Sequence, residues 1–477
     1  MWWLVPVFAV VLFVLVLIIR TVLFKPHENV KADENEVTFD RAALIRNLQS
    51  LVECKTVSYA DRSLEDDAEF DKLISLLPKL YPHVHRSCEF ERLADRALLY
   101  RWKGKRAVAP TVLMAHYDVV PVDENGWEKP TFEAIVEDGV MWGRGTLDTK
   151  VTFGGILFAA DKLIKDGFVP ENDIYFAFSG GEEVNGKGAS NIVDLFEKRG
   201  ITPALVLDEG GAVVENVFPG VKGSCGLIGI AEKGMLNVCY SAKSNGGHAS
   251  SPKPGAPVDR LAAACGKVLN NPFPYHITPP VAKMFDTLGR HSTFLYRMIF
   301  ANLWLFAPVL DMICKSSGGE LNALMRTTVA FTQMSGSSAA NVIPTNAQMV
   351  SNLRLNPYDT VDGAIDRLCK TVKDEKVEIS AIYGMNPSRI SETDCEAWNK
   401  VASSVASTWK GCIVSPYLMV QCSDSRHWGR LSDKVYRFSA MDLTSEERAT
   451  IHGHNERIRL DCLYRSAEFF IRLIEKC

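Results

Sequence analysis

Short apolar runs alternate with helical patterns through residues 40–221, and this alternation restricts the fold more than any other feature of the chain. Candidate strands cover residues 111–115, 140–142, 174–178 and 205–207, with apolar side chains at helical spacing between them. Strands that alternate with helices are typical of an α/β domain with a largely parallel sheet. We therefore predict that fold class for the main domain.

A second unit is predicted to interrupt the main domain. Residues 222–356 change to β-prone stretches around a helix near residues 258–269, and α/β-like segments return from residue 357. This change predicts an inserted α+β unit, with the main domain formed by residues 40–221 and 357–477.

Residues 294–314 of the insert are unusually apolar and aromatic. We predict a buried helical hairpin there, because Arg297, Pro308 and Asp311 disfavour a membrane span. The alternative is an apolar wall for a lipid-like substrate or a contact with a membrane.

The first 19 residues contain no charged side chain, and Arg20 ends this apolar run. About 18 apolar residues are enough to span a bilayer as a helix. We predict a transmembrane anchor over residues 1–25, followed by a polar stalk over residues 26–39. A cleaved signal peptide is the alternative, but the basic segment and the small-residue cleavage site of such peptides are missing.

The side of the membrane on which the main domain lies stays open. Trp2 and Trp3 are predicted to lie at one interface, and Arg20, Lys25 and Lys31 follow the span. The positive-inside rule then places the main domain in the cytosol. The chain has no Asn-x-Ser/Thr glycosylation acceptor, which removes one usual support for a lumenal location.

The charge balance gives no sign of a polyanionic partner. With 53 Lys and Arg against 57 Asp and Glu, the net charge is −4, so we predict no nucleic-acid binding. The 12 cysteines contain no Cys-x-x-Cys pair. Neither a thiolate zinc site nor a disulfide framework is therefore indicated.

Acidic residues and a histidine follow several of the predicted strands. His116 and Asp118 come after residues 111–115, and strand spacing lets the carboxylate orient the imidazole. Asp148 precedes a predicted helix, and Glu182 and Glu183 follow residues 174–178. Each acid alone is compatible with a helix cap or a turn.

Together these acids predict a metal site. Asp208 follows residues 205–207, so carboxylates gather at successive strand ends, where the ligand crevice of an open α/β sheet lies. Such a cluster is costly unless a cation compensates the repulsion. With His452 or His454 added, the donors suit two zinc ions that share one carboxylate, and such a pair hydrolyses amide or related bonds.

These motifs, with residues 143–150 and the His-x-x-Asn-Glu segment 452–456, resemble the dinuclear zinc aminoacylase, carboxypeptidase G and carboxypeptidase S family of metallopeptidases. The resemblance covers nearly everything after residue 40. Residues 114–121, 302–308 and 423–426 are most similar to the branch that contains yeast carboxypeptidase S and the N-fatty-acyl-amino acid synthase/hydrolases. The resemblance implies a zinc-peptidase catalytic domain with an inserted lid or dimerisation domain.

The resemblance implies a role for each metal-site residue. Asp148 would bridge the two zinc ions, His116 and Asp208 would complete one site, and Glu183 and His452 the other. In the same family pattern, His454 is not a ligand.

The remaining catalytic roles also follow from the resemblance. Asp118 would orient His116. Glu182 would be the general base that takes a proton from the metal-bridging water and delivers it to the leaving amine.

In the lid, the resemblance implies that His248 stabilises the oxyanion, in relatives that dimerise often from the partner subunit. Asn341 and Arg354 match positions that hold substrate, and Arg354 would grip a free carboxylate. A strand-edge ion pair is the structural alternative for Arg354. Relatives often have Gly-Gly before Thr-Asp, whereas residues 421–424 of this chain are Gln-Cys-Ser-Asp. We therefore expect the pocket around the scissile bond to differ from that of these relatives.

The leading hypothesis is a membrane-anchored enzyme with two zinc ions that cleaves the amide bond of N-acyl amino acids, in particular N-fatty-acyl amino acids. Because hydrolysis is reversible, the enzyme would also form this bond when the concentrations of fatty acid and amino acid favour condensation. Its expected partners are this substrate or a short peptide, the lipid bilayer and a second copy of the chain. A carboxypeptidase S-like exopeptidase or dipeptidase in a vacuolar or similar compartment is the second hypothesis. The third is a zinc-binding scaffold without turnover.

Overall fold

A computed structural model describes residues 4–27, 30–216 and 218–477. The predicted interface position of Trp2 and Trp3 lies outside the described residues. The described helices are α1 (Leu4–Leu23), α2 (Arg41–Val52), α3 (Asp67–Leu80), α4 (Pro82–Ser87), α5 (Lys150–Lys165), α6 (Gly188–Arg199), α7 (Pro257–Asn270), α8 (Pro279–His291), α9 (Phe294–Ala301), α10 (Leu303–Ser317), α11 (Gly319–Met325), α12 (Val361–Val372), α13 (Glu396–Thr408), α14 (Ser445–Arg448) and α15 (Leu460–Ile474). The described strands are β1 (Glu89–Leu93), β2 (Ala97–Trp102), β3 (Arg106–His116), β4 (Ile135–Glu137), β5 (Val140–Trp142), β6 (Asn172–Ser179), β7 (Leu205–Glu215), β8 (Ser224–Glu232), β9 (Gly234–Lys243), β10 (Gly247–His248), β11 (Thr328–Ser335), β12 (Val342–Ile343), β13 (Asn346–Leu355), β14 (Val377–Met385), β15 (Ile413–Met419), β16 (Val435–Leu443) and β17 (Arg457–Arg459).

The main sheet contains eight strands in the order β1-β2-β6-β3-β7-β16-β8-β15. The central pairs β6–β3, β3–β7 and β7–β16 are parallel, whereas β1–β2 and β2–β6 are antiparallel. The predicted α/β class is confirmed, with a sheet that is mixed. Because β3, β6 and β7 run in one direction, their carboxyl ends meet at the same edge of the sheet.

Helices bury both faces of this sheet. On one face, α2, α5 and α15 contribute buried side chains such as Leu51, Ile156 and Phe470 to the larger of the hydrophobic cores, the main core. On the other face, Phe196 of α6 packs edge-to-face on Trp428, with 4.9 Å between the ring centroids. The sheet is thus rigidly supported beneath the edge that carries the acidic residues.

A smaller unit has its own sheet, in the order β11-β13-β9-β14, and its own core beneath α7 and α12. Its extent differs from the predicted range of 222–356. β8 pairs with β7 and β15 in the main sheet, and α8 to α11 pack into the main core. α12 and β14, which follow residue 356, pack into the smaller core. Strand pairing between distant segments sets these boundaries, and local periodicity does not report it.

Within the described residues, one helix, Val5–Leu23 in α1, is long and apolar enough to be a membrane span or a signal sequence. Most of its side chains are exposed, but Leu17 and Thr21 are buried beside Asn302. Arg20 donates hydrogen bonds to the Ala301 carbonyl at 3.0 Å and to Asn302 Oδ1 at 3.1 Å. The end of α1 is therefore fastened to the turn between α9 and α10.

The predicted hairpin over residues 294–314 is present as α9 and α10, which meet at an angle of 110°. It is not buried as predicted. Leu295, Trp304 and Met312 are 65%, 59% and 63% exposed. The hairpin turns only one side toward the main core, and its other side adds to the apolar surface of α1.

Two glycines provide a test of the packing. A Cβ at Gly211 in β7 would overlap with the Leu227 carbonyl oxygen of β8, whereas a Cβ at Gly266 in α7 would meet no atom within 4 Å. We expect Gly211→Ala to lower the free energy of unfolding by about 1–3 kcal/mol. Gly266→Ala should raise it by roughly 0.5–1 kcal/mol, because alanine suits a helix better than glycine. Thermal or urea unfolding measures both, and equal effects would contradict the described β7–β8 contact.

Candidate metal centre

The carboxylate of Asp148 lies between two histidines. One of its oxygens is 3.0 Å from His116 Nε2, and the other is 3.0 Å from His452 Nε2. His116 ends β3, while His452 follows α14 with a left-handed φ of 58°. Segments more than 300 residues apart in the chain thus meet at one carboxylate, in the arrangement expected of a bridging metal ligand.

Three further carboxylates, those of Glu182, Glu183 and Glu209, complete this cluster. Glu183 Oε2 is 3.1 Å from His452 Nε2. The ligand atoms of His116, Asp148 and Glu183 lie within 4.8 Å of one another, and so do those of His116, Glu182 and Glu209. Each group of three is small enough to surround one metal ion.

The pair Glu182 and Glu183 is held in place by Asp118. After β6, the chain turns through Gly181, and the Asp118 carboxylate accepts the backbone N–H groups of Glu182 at 3.1 Å and Glu183 at 3.2 Å. The carboxylate is also 3.4 Å from His116 Nδ1, whose hydrogen bond to the Asp118 carbonyl is 3.0 Å long. Asp118 therefore orients an imidazole and a pair of carboxylates at once.

Asp208, a predicted metal ligand, has different surroundings. Its carboxylate accepts the backbone N–H of Ser425 at 2.8 Å, and it belongs to neither group of clustered ligand atoms. The neighbouring Glu209 points to His116, with Oε1 3.4 Å from Nε2. The cause is a bulge in β7, because Asp208 pairs with Arg437 of β16 and the next pair is Gly211, which leaves Glu209 unopposed.

Burial and the neighbouring charges shift the pKa values of the groups in this cluster strongly. Burial opposes protonation of His116, but Glu209 and its acidic neighbours outweigh this and raise its pKa well above the usual value. Burial raises the pKa of Glu209 to about 8 and that of Glu182 well above its usual range, in both cases against the attraction of His116. These protons are the ones that a bound cation would displace.

The residues present fit a metal ion. Glu183 Oε1 is buried and has no hydrogen-bond partner among the described residues. Imidazole and carboxylate donors are the ligands that Zn²⁺ and related divalent ions prefer when thiolates are absent. The site faces a cavity of about 490 Å³, lined in part by Asp148, Glu182, Glu209 and His452.

The structure places His454 apart from the cluster. Its ring lies against Gly126, where a Cβ would come within 2.6 Å of the imidazole. His454 is exposed and belongs to neither group of clustered ligand atoms.

The predicted lid residues do not line the described cavity. His248 is exposed on β10, and Asn341 accepts the Ala249 N–H through its carbonyl at 2.9 Å. Arg354 on β13 comes nearest, because its Nη1 is 3.3 Å from the sulfur of Cys422, which lines the cavity.

Glu456 supports the loop that carries Asp148, a role that the sequence analysis missed. Its buried Oε1 accepts backbone N–H groups from Gly145 at 3.0 Å, Leu147 at 2.7 Å and Asp148 at 3.2 Å. Its Oε2 pairs with the buried Arg144 at 2.5 Å. Glu456 and Arg144 stand inside the two segments that carry the family resemblance, and this was the signal available in the sequence.

A mixed α/β sheet with imidazole and carboxylate ligands at its strand ends defines a metallohydrolase. Residues 112–476 match the model for peptidase family M20/M25/M40. The chain belongs to this family, which confirms the resemblance found in the sequence.

Relatives of known name support this assignment. The chain is 34% identical over 444 residues to N-fatty-acyl-amino acid synthase/hydrolase PM20D1 of Xenopus tropicalis, covering 91% of this chain and 86% of that protein. It is 32% identical over 475 residues to probable carboxypeptidase S-like 2 of Dictyostelium discoideum, covering 97% and 91%.

Solved structures share the fold. The M20 family metallo-carboxypeptidase Sso-CP2 from Sulfolobus solfataricus matches with a TM-score of 0.66 at 18% identity, over 92% of this chain and 99% of that one. The YXEP protein of Bacillus subtilis, a dinuclear metal binding peptidase of the M20 family, matches with a TM-score of 0.55 at 11% identity, over 91% and 98%.

Glu456 provides a test of the support beneath Asp148. Glu456→Gln removes the charge that pairs with Arg144 and weakens the hold on the loop, so we expect metal affinity to fall by about 10–100-fold. Competition with a fluorescent zinc chelator measures this affinity. Glu128→Gln is the matched control, since Glu128 is exposed and its carboxylate, among the described residues, accepts a hydrogen bond only from Asn455 of the same region. An unchanged affinity in Glu456→Gln would contradict the role described for this carboxylate.

Proposed function

We propose that this M20 enzyme is a zinc-dependent amidohydrolase that cleaves N-acyl, in particular N-fatty-acyl, amino acids. The observation that carries the proposal is the Asp148 carboxylate shared by two histidines, with Glu182 beside it in an open cavity. The name of the Xenopus tropicalis relative and the apolar hairpin next to the main core support the acyl substrate. The same site catalyses condensation when fatty acid and amino acid are abundant.

The proposed ligand set is His116, Asp148, Glu183, His452 and Glu209, the last in place of Asp208. Two Zn²⁺ ions in such a site supply Lewis-acid polarisation of the scissile carbonyl and lower the pKa of water. Five donors with one shared carboxylate suit two ions, and the dinuclear relative with the same fold supports this number.

Glu182 is the proposed general base. It belongs to the His116 cluster, and the hydrogen bond from its backbone N–H to Asp118 fixes its position. Its carboxylate takes a proton from the attacking water and then gives it to the nitrogen of the leaving amino acid as the C–N bond breaks. The products are the carboxylic acid and the free amino acid.

The lid residues are proposed to act on the substrate when the smaller unit approaches the main domain. His248 would donate a hydrogen bond to the developing oxyanion, and its exposed position allows it to serve a partner subunit. Arg354 would bind the amino-acid carboxylate, which its contact with Cys422 supports, and Asn341 would assist it. A homodimer through the smaller unit is part of this proposal, and the exposed apolar residues Met334 and Ile382 of its sheet support it.

We expect Glu182→Gln to lower kcat by at least about 100-fold while metal content stays unchanged, because the substitution removes only the base. The assay is hydrolysis of N-oleoyl-phenylalanine by the purified full-length chain, with Glu128→Gln as the control. A normal rate in Glu182→Gln would contradict the role of this residue.

The same assay separates the competing functions. Faster cleavage of a Gly-Leu dipeptide than of the N-acyl amino acid would favour the carboxypeptidase S-like exopeptidase. Fewer than two zinc ions per chain, measured by mass spectrometry, together with no hydrolysis would favour the scaffold without turnover.

We further propose that α1 is an uncleaved single-pass anchor. The attachment of Arg20 to Ala301 and Asn302 supports retention of this segment in the mature protein.

We expect the full-length chain to stay in membranes after alkaline carbonate extraction, with an intact N-terminal peptide by mass spectrometry. Leu12→Arg should release it, because an arginine in the middle of a span costs about 2.5–3.5 kcal/mol. A shortened soluble chain would show that α1 is a cleaved signal. Protease protection of the main domain in sealed vesicles then assigns the side of the membrane.

A further inference from the structure

A second cleft adjoins the metal-site cavity. It has a volume of about 490 Å³ and shares Leu227, Glu320 and Tyr417 with that cavity. The Tyr417 hydroxyl donates a hydrogen bond to Glu320 Oε1 at 2.9 Å, so this pair stands at the junction of the two spaces. A substrate chain that passed this pair from the metal site would enter the cleft.

Apolar side chains form the larger part of the lining of the cleft. Glu320 is the only charged residue among those described as lining it, and the apolar lining consists mainly of Phe218, Val221, Met284, Leu288, Leu321 and Leu324. A peptide backbone placed against these apolar side chains would lose hydrogen bonds that it makes with water, which is unfavourable. An alkyl chain has no such groups and gains free energy with every methylene buried.

The outer wall of the cleft is α9. Tyr296 of α9 lines the cleft, and Phe300 of the same helix packs on Phe218 with 4.6 Å between ring centroids. The end of α9 accepts the hydrogen bond of Arg20 through the Ala301 carbonyl. One short helix therefore separates the cleft from α1, the candidate membrane span, where an amphiphilic substrate is concentrated.

We propose that this cleft binds the fatty acyl chain of the substrate while the amide carbonyl lies at the metal site. This inference rests on the proposed amidohydrolase function and assigns the acyl specificity to α8, α9 and α11. The cleft adjoins the metal-site cavity through three shared lining residues, and most of its lining side chains are apolar, so we infer an alkyl chain as its occupant.

Chain-length dependence tests this assignment. The full-length protein, in phosphatidylcholine vesicles, is given N-acetyl-, N-hexanoyl-, N-dodecanoyl- and N-palmitoyl-phenylalanine. For the wild type we expect kcat/KM to rise by up to roughly fourfold per methylene until the cleft is full. Leu321→Trp fills part of the cleft from a half-buried position. It should lower the ratio of kcat/KM for the palmitoyl to the acetyl substrate at least about tenfold, the equivalent of about two methylenes.

Leu295→Trp is the matched control, because Leu295 lies on α9 next to Tyr296 but is exposed and does not line the cleft. It should leave the palmitoyl-to-acetyl ratio unchanged. An unchanged ratio in Leu321→Trp, with normal hydrolysis of all substrates, would overturn the acyl-site assignment and leave the proposed function intact.

Photolabelling gives a result that does not depend on turnover. An N-palmitoyl-phenylalanine analogue with a diazirine at the end of its chain is irradiated with the Glu182→Gln protein. Labelled peptides from α8 and α11 support the acyl site, even if Leu321→Trp fails to fold. Label confined to α1 or to the smaller unit overturns it. Absence of hydrolysis of every N-acyl substrate by the wild type would instead reject the proposed function.

Discussion

The structure depends on the crowding of like charges where three parallel strands end. Asp148, Glu182, Glu183 and Glu209 converge there on His116, and each lies partly shielded from water. Burial raises the pKa of Glu182, Glu183 and Glu209, and repulsion from neighbouring carboxylates raises it further, whereas attraction to these carboxylates raises the pKa of the His116 imidazole. Only bound cations relieve this repulsion without protonating the groups, so the geometry of the fold itself creates the demand for metal.

This crowded edge is stable because distant parts of the chain brace it. Glu456 holds the loop before α5 by three backbone hydrogen bonds, and Asp118 holds the turn after β6 by two. Both braces are buried carboxylates that accept backbone N–H groups, and such charge-assisted hydrogen bonds are strong. Helices α8 to α11 extend the same core outward to α1. The metal-site cavity, the cleft and the candidate membrane span therefore lie next to one another in space.

The fold was predictable from the sequence to the extent that local periodicity determines it. The α/β class, the helix α7 within the insert and the apolar helix at the N-terminus follow from patterns within a few residues. The boundaries of the smaller unit were not predictable in this way. β8 and α8–α11 lie in the main domain, and α12 and β14 in the smaller unit, because of pairing between segments far apart in the chain.

For the site, residue type and position after a strand were enough to single out His116 and the Glu182–Glu183 pair, because carboxyl ends of parallel strands meet at one edge. Asp148 was singled out in the same way, although it follows β5, which pairs antiparallel with β4 and β17 in a separate sheet. The sequence by itself thus determined which chemistry the chain carries. Only the tertiary structure shows where the adjacent acids Asp208 and Glu209 point. A bulge in β7, where Gly210 has a φ of 147°, turns the second carboxylate toward the histidine and leaves the first beneath Ser425. Such a bulge arises from the register with β16, more than 200 residues away, and no local pattern encodes that register.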